Sequence, residues 1–356
     1  MVAIAPQMMT KPIRVLVVDD SALIRKMLKE GLGRAHDLDV VGAARDPYEA
    51  RDLLIKLRPD VMTLDIEMPK MDGLEFLRRL MPQFPIPTVV VSSLSQKGSR
   101  MAIDAMAAGA VDVVGKPSRD LGYRFEQMMD ELQVRIRNAA KVNRKLLSCR
   151  APEAGPGKVM RTQFDSTDKV VAIGASTGGT EALFQVLRAL PVNCPATVIV
   201  QHMPPGFTKA LAGRLNAQVS LSVTEAVHGD RLSAGRVLLA PAGKQCQVVR
   251  SGGHYQVALR QGPPVEGHCP SVNVLMHSMA QQVGRNGVGV ILTGMGKDGA
   301  KGLKLMRDAG ARTIGQDEAT SVVYGMPKVA EQLGGVERQL PLAQVADAIT
   351  SALRGR

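Results

Sequence analysis

Two groups of residues in this chain of 356 have types and spacing that could do chemistry. In the first, Asp19 and Asp20 follow the apolar run 13–18, and Asp65 follows the run 61–64. Ser92 follows the run 89–91, and Lys116 follows the run 111–114, directly before Pro117. If each run is a strand of one parallel sheet, all five side chains reach its carboxyl edge, where doubly wound folds bind ligands. Three carboxylates gathered there repel one another unless a hard divalent cation sits among them, and so few all-protein ligands point to Mg2+. A hydroxyl and an ammonium beside that cluster suit a transient phosphoryl group. One Asp would be the nucleophile, with the cation and the lysine neutralising transition-state charge. The competing reading is local: an Asp after a strand is a common helix N-cap, and Asp20-Ser21 could simply open a helix. Five polar residues at five strand ends fit that reading poorly.

The second group centres on Ser176, in G-A-S-T-G-G at 174–179, between an apolar run at 170–173 and a helical pattern. Its glycines permit a tight strand-to-helix turn. The free N–H groups and positive dipole of a helix N-terminus suit an oxyanion. Residues 174–178 match G-x-S-x-G, the nucleophile elbow. A phosphate-binding turn and a plain Ser N-cap remain open alternatives. A serine nucleophile needs a base. His202 ends the run 197–200 and precedes M-P-P-G, which puts it on the same edge as Ser176; a hydrogen-bonded strand-end His is the alternative. His268, in E-G-H-C-P-S-V-N, is a weaker candidate. His36, His228 and His254 lie in polar or glycine-rich stretches and are expected at the surface, and His277 is expected to pack beside Met276 and Met279. Asp298, in T-G-M-G-K-D-G at 293–299 after the run 288–292, would orient the imidazole and stabilise the imidazolium. The alternative for Asp298 is an N-cap. The order Ser, His, Asp differs from that of α/β-hydrolases, so that fold is not expected.

Both groups require strands alternating with helices. Five unbroken apolar runs separated by helical stretches fill residues 1 to about 120, as in a parallel sheet covered on both faces. Helical spacing continues from Tyr123 to Leu147. Residues 148–168 hold Gly, Pro and Ser without periodicity and are expected to form an exposed linker. From Lys169 a second alternation begins, with strands at 170–173, 197–200, 288–292 and 312–314. The stretch 219–270 is expected to hold a hairpin or irregular loops. The expected fold class is α/β, with two doubly wound parallel-sheet domains. The division is 1–140, 141–168 as linker, and 169–356. An aromatic share of 3% without Trp argues against stacking binders of single-stranded nucleic acid. Four scattered Cys, including Cys149, argue against a disulfide scaffold and fit a reducing cytoplasm. No apolar run reaches the ~18 residues of a membrane span, and the first residues do not form a secretory signal.

The spelling of the first group, V-V-D-D-S at 17–21, D-I-E-M-P-K-M-D-G at 65–73, V-S-S at 91–93 and G-K-P at 115–117, resembles the receiver domain of two-component response regulators, a flavodoxin-like fold. The resemblance covers 13 to about 130. It implies Asp65 as phosphoacceptor, and Asp19, Asp20, Asp65 and the Glu67 backbone carbonyl as Mg2+ ligands. Ser92 becomes the switch hydroxyl and Lys116 the phosphate-pairing lysine. Val113 or Val114 stands where the family usually has a switch aromatic. The family's Lys116–Pro117 bond is often cis.

Residues 174–179, Q-H-M-P-P-G-F-T at 201–208, A-P-A-G at 240–243, H-C-P-S-V at 268–272, I-L-T-G-M-G-K-D-G at 291–299 and Q-D-E-A-T-S-V-V-Y-G-M-P at 316–327 resemble the chemotaxis protein-glutamate methylesterase domain, here expected to be Rossmann-like. With the receiver in front, the whole chain is similar to the CheB family. The resemblance implies Ser176 as nucleophile, His202 as base, Asp298 as orienting acid, and the Thr177 and Met295 N–H groups as oxyanion hole. It implies a cytoplasmic, phosphorylation-activated esterase and glutamine deamidase acting on chemoreceptors, with a chemotaxis histidine kinase as phosphodonor. Hydrolysis itself would need no cofactor. Asn273 departs from the family's usual Asp, and Met276 from its common Phe.

Two other classes fit parts of the sequence. A DNA-binding response regulator would explain the formal net charge of +12, and a nucleotide-binding oxidoreductase the glycine-rich turn. The first needs a small helical output domain in place of 188 alternating residues. The second needs a glycine where Ser176 stands. The charge is uneven: residues 169–356 carry 19 Lys and Arg against 11 Asp and Glu, while residues 1–120 carry 17 against 16. A basic second half suits an acidic receptor surface as well as nucleic acid, and neither nucleic-acid binding nor membrane insertion is expected.

Overall fold

The computed structural model describes residues 11–117, 123–148, 162 and 168–354. Cys149 and most of the expected linker lie outside the described residues.

In the N-terminal half, strands β1 (Ile13–Val18), β2 (Leu38–Ala44), β3 (Val61–Asp65), β4 (Thr88–Ser93) and β5 (Asp112–Lys116) form one sheet in the order β2-β1-β3-β4-β5. All its pairs are parallel. The strands read as apolar runs because helices cover both faces. The helices are α1 (Ala22–Leu32), α2 (Pro47–Leu57), α3 (Gly73–Leu80), α4 (Gln96–Ala108) and α5 (Tyr123–Ala139). The strand order reverses between β1 and β3, which opens a crevice at their carboxyl ends.

The helical spacing of 123–147 resolves into two helices rather than one. After α5 the chain turns, and α6 (Arg144–Ser148) restarts where the Asn143 side chain accepts the Lys145 N–H at 3.2 Å. An Asn side chain that takes a backbone N–H in this way starts a helix more readily than it continues one. The expected linker is not wholly exposed: Thr162 is buried, exchanging hydrogen bonds with Asn193 at 3.1 and 2.6 Å.

The C-terminal half holds a seven-stranded sheet, all parallel, in the order β14-β13-β12-β6-β7-β9-β8. Its strands are β6 (Val170–Ala175), β7 (Thr197–Gln201), β8 (Ser222–Glu225), β9 (Arg236–Leu239), β12 (Gly287–Ile291), β13 (Arg312–Gln316) and β14 (Arg338–Leu340). Helices α7 (Gly179–Ala189), α8 (Thr208–Gln218), α9 (Val272–Gln282), α10 (Ala300–Asp308), α11 (Met326–Gln332) and α12 (Leu342–Arg354) cover it. The stretch 219–270 contains the antiparallel hairpin of β10 (Gln245–Ser251) and β11 (His254–Arg260). It also supplies β8 and β9 to the main sheet. Those two and β14 escape sequence reading because each is only three or four residues long, too short to show a period. Both halves are therefore α/β, and the second is one large parallel sheet rather than a small helical output domain.

The halves touch. Helix α4 packs against α7 and α8, and Asp104 on α4 pairs with Arg214 on α8. No described helix is long and apolar enough to cross a membrane.

Candidate active site and phosphorylation site

Strand β6 ends at Ala175, and the chain turns through Ser176, Thr177 and Gly178 into α7. Gly178 makes the turn: its φ is +78°, and a Cβ there would lie 2.6 Å from the Val322 Cβ. The left-handed residue is thus the glycine; Ser176 is not among the residues with positive φ, so the strained nucleophile elbow that G-x-S-x-G suggests is not formed. Nor is Ser176 an N-cap. Gly178 occupies that position, and no side chain caps the helix.

His202 is delivered by register. β6 pairs with β7 so that Ala175 faces Gln201, and the His202 N–H donates to the Ala175 carbonyl at 3.0 Å. Ser176 and His202 are therefore neighbours across adjacent strand ends. Gln201 fastens them, its amide donating to the Ser176 carbonyl at 2.9 Å and the His202 carbonyl at 3.1 Å.

Asp298 comes from the loop after β12, at the other side of β6, where the strand order reverses. It is not the N-cap of its own helix, since Gly299 holds that position without a side-chain cap. Its carboxylate reaches another helix instead. It accepts the Ser271 hydroxyl at 2.7 Å and the Val272 and Asn273 N–H groups at 2.7 and 3.0 Å, at the N-terminus of α9. Its fourth partner is His202 Nε2 at 2.9 Å. Burial alone would raise the Asp298 pKa; the His202 and Ser271 hydrogen bonds outweigh it and hold the carboxyl below its ordinary value. An ionised Asp298 only accepts, so His202 Nε2–H donates to it, which leaves Nδ1 as the basic nitrogen. Nδ1 is buried and has no hydrogen-bond partner. No hydrogen bond joins it to Ser176 Oγ. Ser176, His202 and Asp298 are 5%, 4% and 1% exposed.

The loop 293–299 presses on Ser176. A Cβ at Gly294 would meet the Ser176 Cβ at 2.7 Å, so only glycine lets the two backbones approach. The Ser176 N–H is taken by the Thr293 carbonyl at 3.0 Å. The Thr177 and Met295 N–H groups, by contrast, donate to no acceptor among the described residues. Free backbone N–H groups of this kind, on the residues after Ser176 and Gly294, are the donors an oxyanion needs.

Of the other histidines, His36 and His228 are exposed and His254 is half-buried. His277 is exposed rather than packed, because α9 turns Leu275, Met276 and Met279 inward and leaves position 277 on the opposite face. The Asn273 amide oxygen accepts the Gly302 N–H at 2.8 Å, joining α9 to α10, and Met276 is wholly buried. Four contributors carried little sequence signal. Gln201 and Ser271 lie inside motif blocks without a chemical type that marks them. Asp112 and Arg135 lie outside every block. The Thr177 hydroxyl donates to Asp112 Oδ2 at 2.9 Å, and Arg135 on α5 donates to both oxygens of that carboxylate at 2.9 and 3.0 Å.

In the N-terminal crevice, ligand atoms of Asp19, Asp20 and Asp65 lie within 4.8 Å of one another. The N-cap role falls to Ser21, so Asp20 stays free for the cluster. Lys116 Nζ is 2.7 Å from Asp19 Oδ2 and 2.7 Å from Asp65 Oδ2. The Asp65 carboxyl is held above its ordinary pKa, chiefly by burial and further by Asp19, against the pull of Lys116. Hard oxygen donors this close, one with a destabilised charge, fit a small divalent cation. Ser92 is buried with its hydroxyl on the Gly98 carbonyl at 3.2 Å, in the first turn of α4, so it is not directed at Asp65. Glu67 donates its N–H to Asp65 Oδ1 at 3.2 Å. Among the described residues the only cis bond is Cys269–Pro270, so Lys116–Pro117 is trans.

Both halves of the chain are similar to known proteins. Residues 171–349 match the CheB methylesterase family, and residues 15–122 match the response regulator receiver domain. A relative from Syntrophotalea carbinolica, named protein-glutamate methylesterase/protein-glutamine glutaminase, is 52% identical over 98% of this chain and 99% of its own. One of the same name from Salmonella typhimurium is 48% identical over 94% and 95%. The solved catalytic domain of Thermotoga maritima CheB methylesterase is 36% identical, with a TM-score of 0.51, over 51% of this chain and 97% of that one.

Proposed function

The chain belongs to the CheB methylesterase family, and on that premise we propose that it is a phosphorylation-activated serine hydrolase of chemotaxis adaptation. It converts glutamate methyl esters on chemoreceptors to glutamate and methanol, and glutamines to glutamate and ammonia. Ser176 Oγ attacks the γ-carbonyl, and His202 Nδ1 takes its proton while Nε2–H stays on Asp298. The Thr177 and Met295 N–H groups receive the oxyanion. The imidazolium returns the proton to the leaving methoxide. His202 then activates the water that cleaves the acyl-enzyme. The observation that carries this reading is the His202–Asp298 pair, with Nδ1 unpartnered at the strand end next to Ser176.

The phosphoryl group is accepted by Asp65 from a chemotaxis histidine kinase. Asp19, Asp20, Asp65 and the Glu67 carbonyl would hold Mg2+, which supplies charge neutralisation for the transfer. Lys116 pairs with the phosphoryl oxygens, and Ser92 leaves Gly98 to join them. Residues 1–140 act as the receiver, 141–168 as linker and 169–356 as the catalytic domain, in the cytoplasm. The unphosphorylated receiver covers Ser176 and holds Thr177 through Asp112, and phosphorylation shifts the population away from that closed arrangement.

The test is methanol release from methylated receptor by the full chain, with and without a small phosphodonor, beside S176A. Release that rises with phosphodonor and vanishes in S176A is expected. Release undiminished in S176A would overturn the reading.

A further inference from the structure

The His268 ring lies flat against the His202 ring, with centroids 3.6 Å apart and planes 5° from parallel. Two neutral aromatic rings prefer offset or edge-on contact at longer range, so close parallel stacking is a poor arrangement for an uncharged pair. It suits a cation over a ring face. In the proposed reaction, the proton that Ser176 gives up places a positive charge on His202.

The loop that carries His268 is built to hold it. Val265 and His268 exchange backbone hydrogen bonds at 2.9 and 3.0 Å across a tight turn whose central residues, Glu266 and Gly267, have φ of +51° and +82°. That is the pattern of a primed hairpin turn, and Glu266 occupies a left-handed position that a non-glycine residue rarely takes. Gln245, buried beneath, donates to the Pro263 and His268 carbonyls at 3.1 and 3.2 Å and accepts the Ser271 N–H at 2.9 Å. Segment 268–273 thus presents one ring to His202 and three hydrogen-bond donors to Asp298. The base and its orienting acid are fixed by the same piece of chain.

We propose that His268 is a positioning residue for the His202 base, its ring fixing the imidazole plane and stabilising the imidazolium that forms during attack. This rests on the hydrolase reading above. The groups facing His268 are His202, Asp298, Glu266 on its own turn, and Arg135 from α5. Burial first, then His202, press its pKa down to about 4, while Asp298 and Glu266 oppose and Arg135 assists. The ring is therefore uncharged at neutral pH and does not repel the imidazolium. The stabilisation exists in the transition state and not in the ground state, so it acts on kcat.

The experiment compares wild type, H268A, H268L and H268F in the phosphorylated full chain, with S176A as the chemical control. The readouts are kcat and KM for methanol release and the urea midpoint. A tenfold or greater fall in kcat for H268A and H268L at unchanged KM, with most of the rate restored in H268F, is expected. Phe keeps a flat ring face; Leu keeps volume without one, and serves if H268A fails to fold. Wild-type kcat in H268L, a change confined to KM, or H268F as slow as H268L would each overturn the proposal. Activity surviving in S176A would instead remove the reading on which it rests.

Discussion

Thr177 and Asp112 are joined by a hydrogen bond of 2.9 Å that crosses from the C-terminal to the N-terminal sheet. Asp112 opens strand β5, and Lys116, which pairs with Asp65, closes it. One strand therefore reaches the phosphorylation site at one end and the residue after Ser176 at the other. The carboxylate makes this bond charge-assisted, which roughly doubles its strength over a neutral one.

Replacing the carboxylate with an amide tests the clamp. D112N keeps the shape but removes the charge; it breaks the Arg135 pair as well, and weakens the hold on Thr177 by about 1 kcal/mol. Methanol release by the unphosphorylated chain is expected to rise roughly fivefold, as that energy implies. Unchanged basal release would show that the bond does not restrain activity.

The Asp298 cage gives a second prediction. D298N would present an amide where Nε2–H needs an acceptor, favouring the wrong imidazole tautomer. A fall in kcat on the order of 10⁴ is expected, by analogy with the serine-protease triad. Circular dichroism should stay native. A fall below tenfold would mean that Asp298 does not orient the base.

The Asp298 shift also fixes a pH dependence. Its folded pKa is depressed, so its contribution to stability is fully present above the ordinary carboxylate pKa of 3.8 and is lost as pH falls through the folded value. Urea midpoints of wild type and D298N should differ at neutral pH and converge in strong acid. A constant difference across that window would contradict the assignment.

Asp65 carries the opposite sign. Its folded pKa is raised, so the ionised carboxylate costs stability at neutral pH, and the cost disappears below pH 3.8. D65N is expected to raise the thermal midpoint at neutral pH by a few degrees, and adding Mg2+ to raise that of the wild type but not of D65N. A lower midpoint for D65N would refute this.

Gly178 provides a structural test. An alanine at φ +78° costs about 1–3 kcal/mol, and its Cβ would strike Val322. G178A should lower the urea midpoint and slow hydrolysis by moving the Thr177 N–H. The double variant G178A/V322A relieves the clash and leaves the backbone strain, so recovery should be partial.

Strand ends were legible because apolar runs bounded by single polar residues are local patterns. Asp19, Asp65 and Lys116, and Ser176, His202 and Asp298, could be picked out because each follows such a run, and a parallel sheet brings carboxyl ends together. The short strands β8, β9 and β14 left no period to read. His277 misled because a helix face cannot be assigned from two neighbouring methionines.

The sequence by itself determined the α/β alternation and the residues collected at each sheet edge, since both follow from spacing along the chain. Tertiary structure decided which nitrogen of His202 bonds Asp298, the stacking of His268, and the Asp112 bond to Thr177. Each of these joins atoms brought close by strand order and by the docking of the two halves. Their sequence separations, up to 96 residues for His202 and Asp298, exceed anything a local pattern can encode.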